Sequence, residues 1–322
     1  MKRRIFCLAV FLLLFCLASS AALAEDYVQF EYEVVDNTVT ITACDESAQG
    51  EVTVPEEING LPVTAIGSGA FSGCEHITSI ILPGTVTQVG DLAFYGCVSL
   101  EKLELPDSPD AYGEGLFIDC RALKSITLPQ GMTAISPNMF KGCASLTRIS
   151  LPDGIESVGY SAFEGCSSLR AIVLPAGVKE IGHSAFMDCG ELFFVRMPRE
   201  LESLGEAAFY GCKSLRIISL PDSLSAVPDF CFYGCEALEH MRFSADVAGI
   251  GIEAFAECYA LAELKFEHSV LDSLSIGENA FMLGGIMETR ILCTDTVKPH
   301  EALSSYEWEL SGRPVEYIKL YK

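Results

Sequence analysis

Nine cysteines recur at intervals of 23 residues, at Cys74, Cys97, Cys120, Cys143, Cys166, Cys189, Cys212, Cys235 and Cys258. No other feature of the 322-residue chain restricts its fold as much, because a fixed period of this length is the signature of a stacked repeat. Other positions keep the same step. A phenylalanine stands three residues before each cysteine, from Phe71 to Phe255. Three residues after it comes Ile77, then a leucine at every turn from Leu100 to Leu261, with apolar residues again at six and eight. Proline closes this run from Pro83 to Pro221 and gives way to Ser244 and Glu267 in the last two units.

A unit this short cannot bury its own hydrophobic side, so each must stack on its neighbours to build one continuous core. In Leu146-Thr147-Arg148-Ile149-Ser150-Leu151-Pro152, the alternation points Leu146, Ile149 and Leu151 inward and Arg148 and Ser150 outward. Ile149 to Leu151 is therefore expected as one short parallel strand, ended by a proline that lacks the ladder donor. The predicted ladder sets Ile126 beside Ile149 and Ile149 beside Ile172. A weaker extended segment is expected around Val158 and Gly159 on the opposite side, and a single helical turn from Ala162-Phe163 to Cys166. The expected fold class is thus a repeat solenoid of mainly short parallel β-strands with single helical turns. About ten turns, coiling right-handedly, would extend roughly 50 Å at about 4.8 Å per turn. A β-propeller blade needs roughly 40 to 50 residues, which this period does not supply.

The pattern Cys-x-x-Leu-x-x-Ile-x-Leu-Pro, followed by Ile-Gly-x-x-Ala-Phe, resembles the BspA-type (treponemal-type) leucine-rich repeat of bacterial surface and secreted proteins. The resemblance spans roughly 61–284 and implies a curved leucine-rich repeat solenoid with the strands on its concave side. It also implies an adhesin-like role, since related proteins are exported adhesins and binders of extracellular protein.

The ends depart from the period. Phe30 to Val35, a turn at Asp36-Asn37, and Thr38 to Ile41 alternate like a hairpin. The organisation read from the sequence is a secretory signal at 1–24, an N-terminal β cap at 25–60, the solenoid at 61–284 and a C-terminal cap at 285–322 containing the single tryptophan, Trp308. Phe281 falls 26 residues after Phe255, so three extra residues are assigned to a loop around His268 to Ser273.

Lys2, Arg3 and Arg4 precede an apolar run from Ile5 to Leu17 and the small-residue end Ala22-Leu23-Ala24, the layout of an export signal cleaved after Ala24. Leu13, Leu14 and Phe15 before Cys16 argue against a lipoprotein, and no other stretch approaches a membrane span. The chain is expected to be secreted or held at the cell surface. Its 21 basic against 44 acidic residues repel phosphate backbones and anionic lipid, so no nucleic-acid partner is expected.

The cysteines allow three readings: packed free thiols, disulfides or metal ligands. Equivalent side chains on successive turns point the same way, which strains a bridge between them, and a file of thiols cannot surround one metal ion tetrahedrally. Packed thiols are the favoured reading, and no pairing is deducible for Cys44, Cys231 and Cys293. Gly182-His183-Ser184-Ala185-Phe186 begins like a hydrolase elbow, but the same frame recurs at Gly159-Tyr160-Ser161-Ala162-Phe163, so Ser184 reads as one turn of the repeat. The five histidines share no phase and are expected to be exposed. No catalytic residue, cofactor or metal is expected, and a secreted hydrolase is the remotest of the functional readings.

Charge is unevenly placed within the repeat. Between residues 75 and 281, the seven positions after each cysteine hold 10 of 13 basic residues and 7 of 28 acidic ones. One reading is a soluble acidic shell in which these bases pair with Glu101, Glu104, Glu239 and Glu263. The other is a recognition surface, favoured by Arg148, Val173, Phe194, Arg196 and Ile217 at outward strand positions and by Arg170, Phe193 and Arg216 where the chain approaches the strand. Arginine beside exposed aromatics is the composition of an interface core. The expected function is binding of an extracellular or host-surface protein, or a glycan, through the concave face. A structural role in assembling a cell envelope is the alternative.

Overall fold

The computed structural model describes residues 30–107, 112–244, 246–266, 275–282, 289–293, 307–310 and 316–321. The signal segment, its cleavage site and the loop assigned to His268 to Ser273 lie outside the described residues.

The chain winds as a β-solenoid whose successive turns pair in parallel at a spacing of 23 residues. Each turn has two extended sides. One carries Gln49–Thr53, His76–Ile81, Lys102–Leu103, Ala171–Val173, Phe194–Arg196, Ile217–Ile218, His240–Phe243 and Glu263–Phe266. The other carries two-residue strands such as Ala134–Ile135, Ser157–Val158, Glu180–Ile181 and Ser203–Leu204, which pair in order. A two-residue strand buries only one side chain, so this second side matches the weaker extended segment expected around Val158.

Phe71 and its equivalents through Phe281 are fully buried and form one file through the core. From Phe94 to Phe255 the rings stack face to face, with centroids 5.2 to 5.6 Å apart, within the range where offset aromatic pairs attract. Phe30 of the N-terminal hairpin meets Phe71 edge-on at 6.1 Å, closing the file. That hairpin pairs Phe30–Val35 with Thr38–Cys44 antiparallel, and Asp36 and Asn37 both take positive φ, the geometry a tight two-residue turn requires.

The single helical turn is not formed. Between the two extended sides, alternate amides serve different turns: Ala70, Ser72 and Cys74 donate to the carbonyls three residues back, whereas Gly69, Phe71 and Gly73 donate to Asp91, Ala93 and Tyr95 of the next turn. A helix needs every amide for its own segment, so this arrangement excludes one and gives separate tight turns instead. Two residues per turn also adopt positive φ. One position is occupied by Leu92, Gly115, Asn138, Ser161, Ser184, Ala207, Phe230 and Glu253, and the other precedes the cysteine. Glycine commonly fills the second, as Gly96, Gly142 and Gly165 do, because a left-handed backbone is costly for a residue with a Cβ.

The ladder through Ile126, Ile149 and Ile172 is also not formed. Pairing runs from Gln49–Thr53 through Lys102–Leu103 to a last bridge between Glu104 and Thr127, resumes at Ala171–Val173, and is interrupted again between Ile217–Ile218 and His240–Phe243. Ile149 is half-buried, and Ile149 to Leu151 is not a strand. Outward residues here are Ser125, Thr127, Arg148 and Ser150, three of them too short to supply much cross-strand contact, whereas the resumed ladder sets Val173 beside Arg196 and Phe194 beside Ile217. The stack itself stays continuous, because the phenylalanine file and the Ala134-to-Leu204 ladder pass through the break.

Candidate functional site

Three consecutive strands position the centre of the candidate surface. Ile172, Val195 and Ile218 pair in register and turn inward. Alternation then forces Ala171, Phe194 and Ile217 into one outward row and Val173 with Arg196 into a second. Val173 is 43% exposed and Ile217 53%, while Phe194 is half-buried. Phe193, one position earlier, is 47% exposed. Its amide donates to Arg170, and its carbonyl accepts from the amides of Arg216 and Ile217, so backbone bonds set Arg170, Phe193 and Arg216 in a row. Phe194 and Ile217 are thus neighbours in one outward row, Val173 stands in the second, and Phe193 is exposed where the chain enters the strand.

The four arginines differ in their partners. Arg170 Nε lies 3.2 Å from Glu191 and Arg216 Nη2 lies 2.7 Å from Glu239, each pair joining neighbouring turns. Lys124 pairs likewise with Glu101 at 3.2 Å. Along this row the bases are matched by acids, as the soluble-shell reading expects for Glu101 and Glu239. Arg148 and Arg196 stand in the outward rows and make no ion pair among the described residues. Among the described residues no side chain or carbonyl accepts from either guanidinium group, each of which carries five donors.

A groove of about 720 Å³ lies toward the N-terminal end of the same face, lined by Glu51, Ser79, Ile81, Lys102, Glu104, Ser125, Thr127 and Arg148 among others. A smaller depression of about 210 Å³ adjoins it at the ladder break and shares Ser125, Thr127 and Arg148. Arg148 therefore borders both hollows. Sequence reasoning missed Ser79, Lys102, Glu104 and Thr127. They occupy the same outward phase as Arg148 and Arg196, so the repeat could have identified them; attention to bulky residues passed over them.

Ser184 is buried at positive φ, like its equivalent Ser161, and its amide donates to Glu206 of the next turn. It is the left-handed turn residue of its repeat. His76, His183 and His240 are exposed, and His268 and His300 lie outside the described residues. Among the described residues no three His, Cys, Asp or Glu side chains converge as a metal site, and no helix is long and apolar enough to cross a membrane.

The sequence matches the family profile described as BspA type Leucine rich repeat region, in six copies over residues 51–170 and 156–288. No curated protein matches. Among solved structures, a leucine-rich repeat protein from Bacteroides ovatus is 26% identical, with 82% of this chain and 70% of that one covered and a TM-score of 0.60. A leucine-rich repeat protein of T. pallidum is 27% identical over 72% of this chain and 87% of its own, with a TM-score of 0.38. A leucine-rich cell surface protein from Faecalibacterium prausnitzii is 23% identical over 84% and 96%, with a TM-score of 0.44.

Proposed function

The chain belongs to the BspA-type leucine-rich repeat family, and from that premise we propose that it is an exported, non-catalytic protein that binds an extracellular protein or glycan through its strand face. The observation that carries this reading is the set of exposed Val173, Phe193 and Ile217 with half-buried Phe194 on the strand side, together with Arg148 and Arg196, which make no ion pair among the described residues. Outward strand positions add little to a solenoid core, so large apolar and cationic side chains gathered there serve a contact with another molecule. The acidic remainder of the surface supports the reading too, because it repels an acidic partner everywhere except along this less negative strip. Arg148 and Arg196 supply planar, bidentate donors for carboxylates, and the exposed phenylalanines supply area that desolvates them.

The test begins with capture of partners from extracellular-matrix and cell-surface extracts by the mature protein. Binding of the isolated partner is then compared for the parent and a Phe194→Ala, Arg196→Ala variant. The expected result is a loss of at least about 2 kcal/mol of binding with an unchanged melting temperature. Equal losses of binding and of melting temperature would make these residues structural. Undiminished binding would move the site away from this face.

A further inference from the structure

We propose that Cys44 and Cys74 form a disulfide that fastens the N-terminal hairpin to the first repeat when the chain meets a disulfide-bearing oxidant. The observation is a break in the thiol pattern. From Cys97 to Cys258, each in-phase thiol for which a bond is described donates to the carbonyl of the phenylalanine 26 residues earlier, at 3.1 to 3.3 Å. Cys74 has no such partner, because the position 26 residues before it is Ala48, outside the file of phenylalanines. Its thiol turns to the Asp45 carbonyl at 3.9 Å, and the Cys44 thiol lies 3.7 Å from that same oxygen. The two sulfurs therefore share one acceptor, the Asp45 carbonyl.

Their approach also differs from that of the repeating cysteines. Equivalent thiols on successive turns lean the same way and are poorly disposed to join. Cys44 stands outside the 23-residue phase, at the end of the hairpin strand Thr38–Cys44, and its amide donates to Ala70 at 2.6 Å. That bond lays its backbone beside the turn Ala70 to Cys74, so the two side chains come from different segments into one space. Cys44 keeps 8% exposure and Cys74 none, so reagent reaches the pair as the hairpin opens or before it closes. The neighbouring Cys44 thiol lowers the Cys74 thiol below its ordinary value despite burial, and Cys44 itself is raised. Cys74 is thereby the better nucleophile of the two, whereas burial raises Cys120, Cys143, Cys189 and Cys235 and keeps them protonated.

With oxidised glutathione as the reagent, one protein thiolate attacks the glutathione disulfide, forming a mixed disulfide and releasing one glutathione. The second protein thiolate attacks the protein sulfur of that mixed disulfide, forming the Cys44–Cys74 bond and releasing a second glutathione. The two thiols are oxidised, the reagent disulfide is reduced, and the two protons pass to the released glutathione thiolates. The bond closes a loop of roughly 30 residues, which raises stability chiefly by restricting the unfolded chain.

The experiment uses the full mature chain, equilibrated with oxidised glutathione or fully reduced. Each sample is unfolded without reductant, alkylated and mapped as peptides. The expected oxidised product is about 2 Da lighter, with Cys44 and Cys74 in one linked peptide and the thiols from Cys97 to Cys258 alkylated. Its melting temperature should rise by about 5 °C over the reduced form, and this rise should vanish in Cys44→Ser. Alkylation of Cys44 and Cys74 as complete as that of Cys143, or linkage of either to a different cysteine, would overturn the proposal. So would a redox-dependent rise that survives in Cys44→Ser. The peptide map is made on the parent protein, so it decides the matter even where the variant fails to fold. Failure of ligand binding at the strand face would leave this result unaffected, since the two tests read different residues.

Discussion

From Phe71 to Phe232, each phenylalanine carbonyl of the file serves two donors, and this explains why cysteine rather than another small residue holds its phase. The Phe71 carbonyl accepts the Cys74 amide at 3.2 Å and the Cys97 thiol at 3.1 Å. Alanine would fill part of the space but leave the second lone pair empty, while a packed thiol supplies apolar volume and a weak donor together. The phenylalanine and cysteine positions were legible in the sequence because their side chains repeat. The left-handed turn position was not: Leu92, Asn138, Ser161, Ala207 and Phe230 share a backbone conformation but no side-chain chemistry. The thiol column also sets a pH dependence. Burial raises Cys97 and Cys258 from 9.0 to about 12, so below pH 9 both states are protonated and the thiols leave stability unchanged. As pH rises above 9, the unfolded chain releases protons that the folded chain keeps, and each thiol removes about 1.4 kcal/mol per pH unit until its folded value is passed. Thermal melts from about pH 8 to about pH 10.5 should show a steep fall in melting temperature above pH 9. Replacing Cys97 and Cys258 with alanine should lower the neutral melting temperature and flatten that fall. An unchanged slope in the variant would remove the thiols from the account.

The strand ladder shows where a repeating sequence stops specifying a repeating element. Ile126, Ile149 and Ile172 are the same residue in the same phase, yet only Ile172 lies in a paired strand of the long ladder. The inward residues establish that a turn is extended, but hydrogen-bonded pairing also depends on what the outward residues contribute, and serines contribute little. The site was legible to a similar degree: the apolar side chains of Val173, Phe193, Phe194 and Ile217 were visible, whereas the ion pairs of Arg170 and Arg216 depend on Glu191 and Glu239 reaching across from other turns. Amide exchange distinguishes the two kinds of turn. Arg148, Ile149 and Ser150 have no backbone hydrogen bond from their amides among the described residues, so Ile149 and Ser150 should exchange at least roughly tenfold faster than Ile172 and Val195. Equal protection across all four would mean that the ladder closes in solution.

A solenoid's stability is close to a sum of turn energies and nearest-neighbour interfaces, so a local weakness decides whether the molecule unfolds as one unit or as two. Around Ile149 the interface has lost its strand ladder on one side and is held by the Ala134-to-Leu204 ladder, the thiol bonds and the stacked rings of Phe140 and Phe163, 5.3 Å apart. Phe186 lies among turns with ladders on both extended sides, where Phe194–Arg196 pairs with Ala171–Val173 and Ile217–Ile218, and Glu180–Ile181 pairs with Ser157–Val158 and Ser203–Leu204. Truncating either phenylalanine removes a fully buried ring and should cost about 3 to 5 kcal/mol. The consequences for cooperativity should differ. Phe140→Ala weakens the interface that already lacks one ladder, so the N-terminal turns can unfold while those from Ala171 onward stay stacked. Its urea titration should show two transitions, with the first associated with fast exchange of the N-terminal amides. Phe186→Ala, weakened where both ladders remain, should shift a single transition to lower urea. Single transitions in both variants would show that the phenylalanine file and the remaining ladder couple the whole stack across the break, and two transitions in Phe186→Ala alone would place the weakest interface elsewhere.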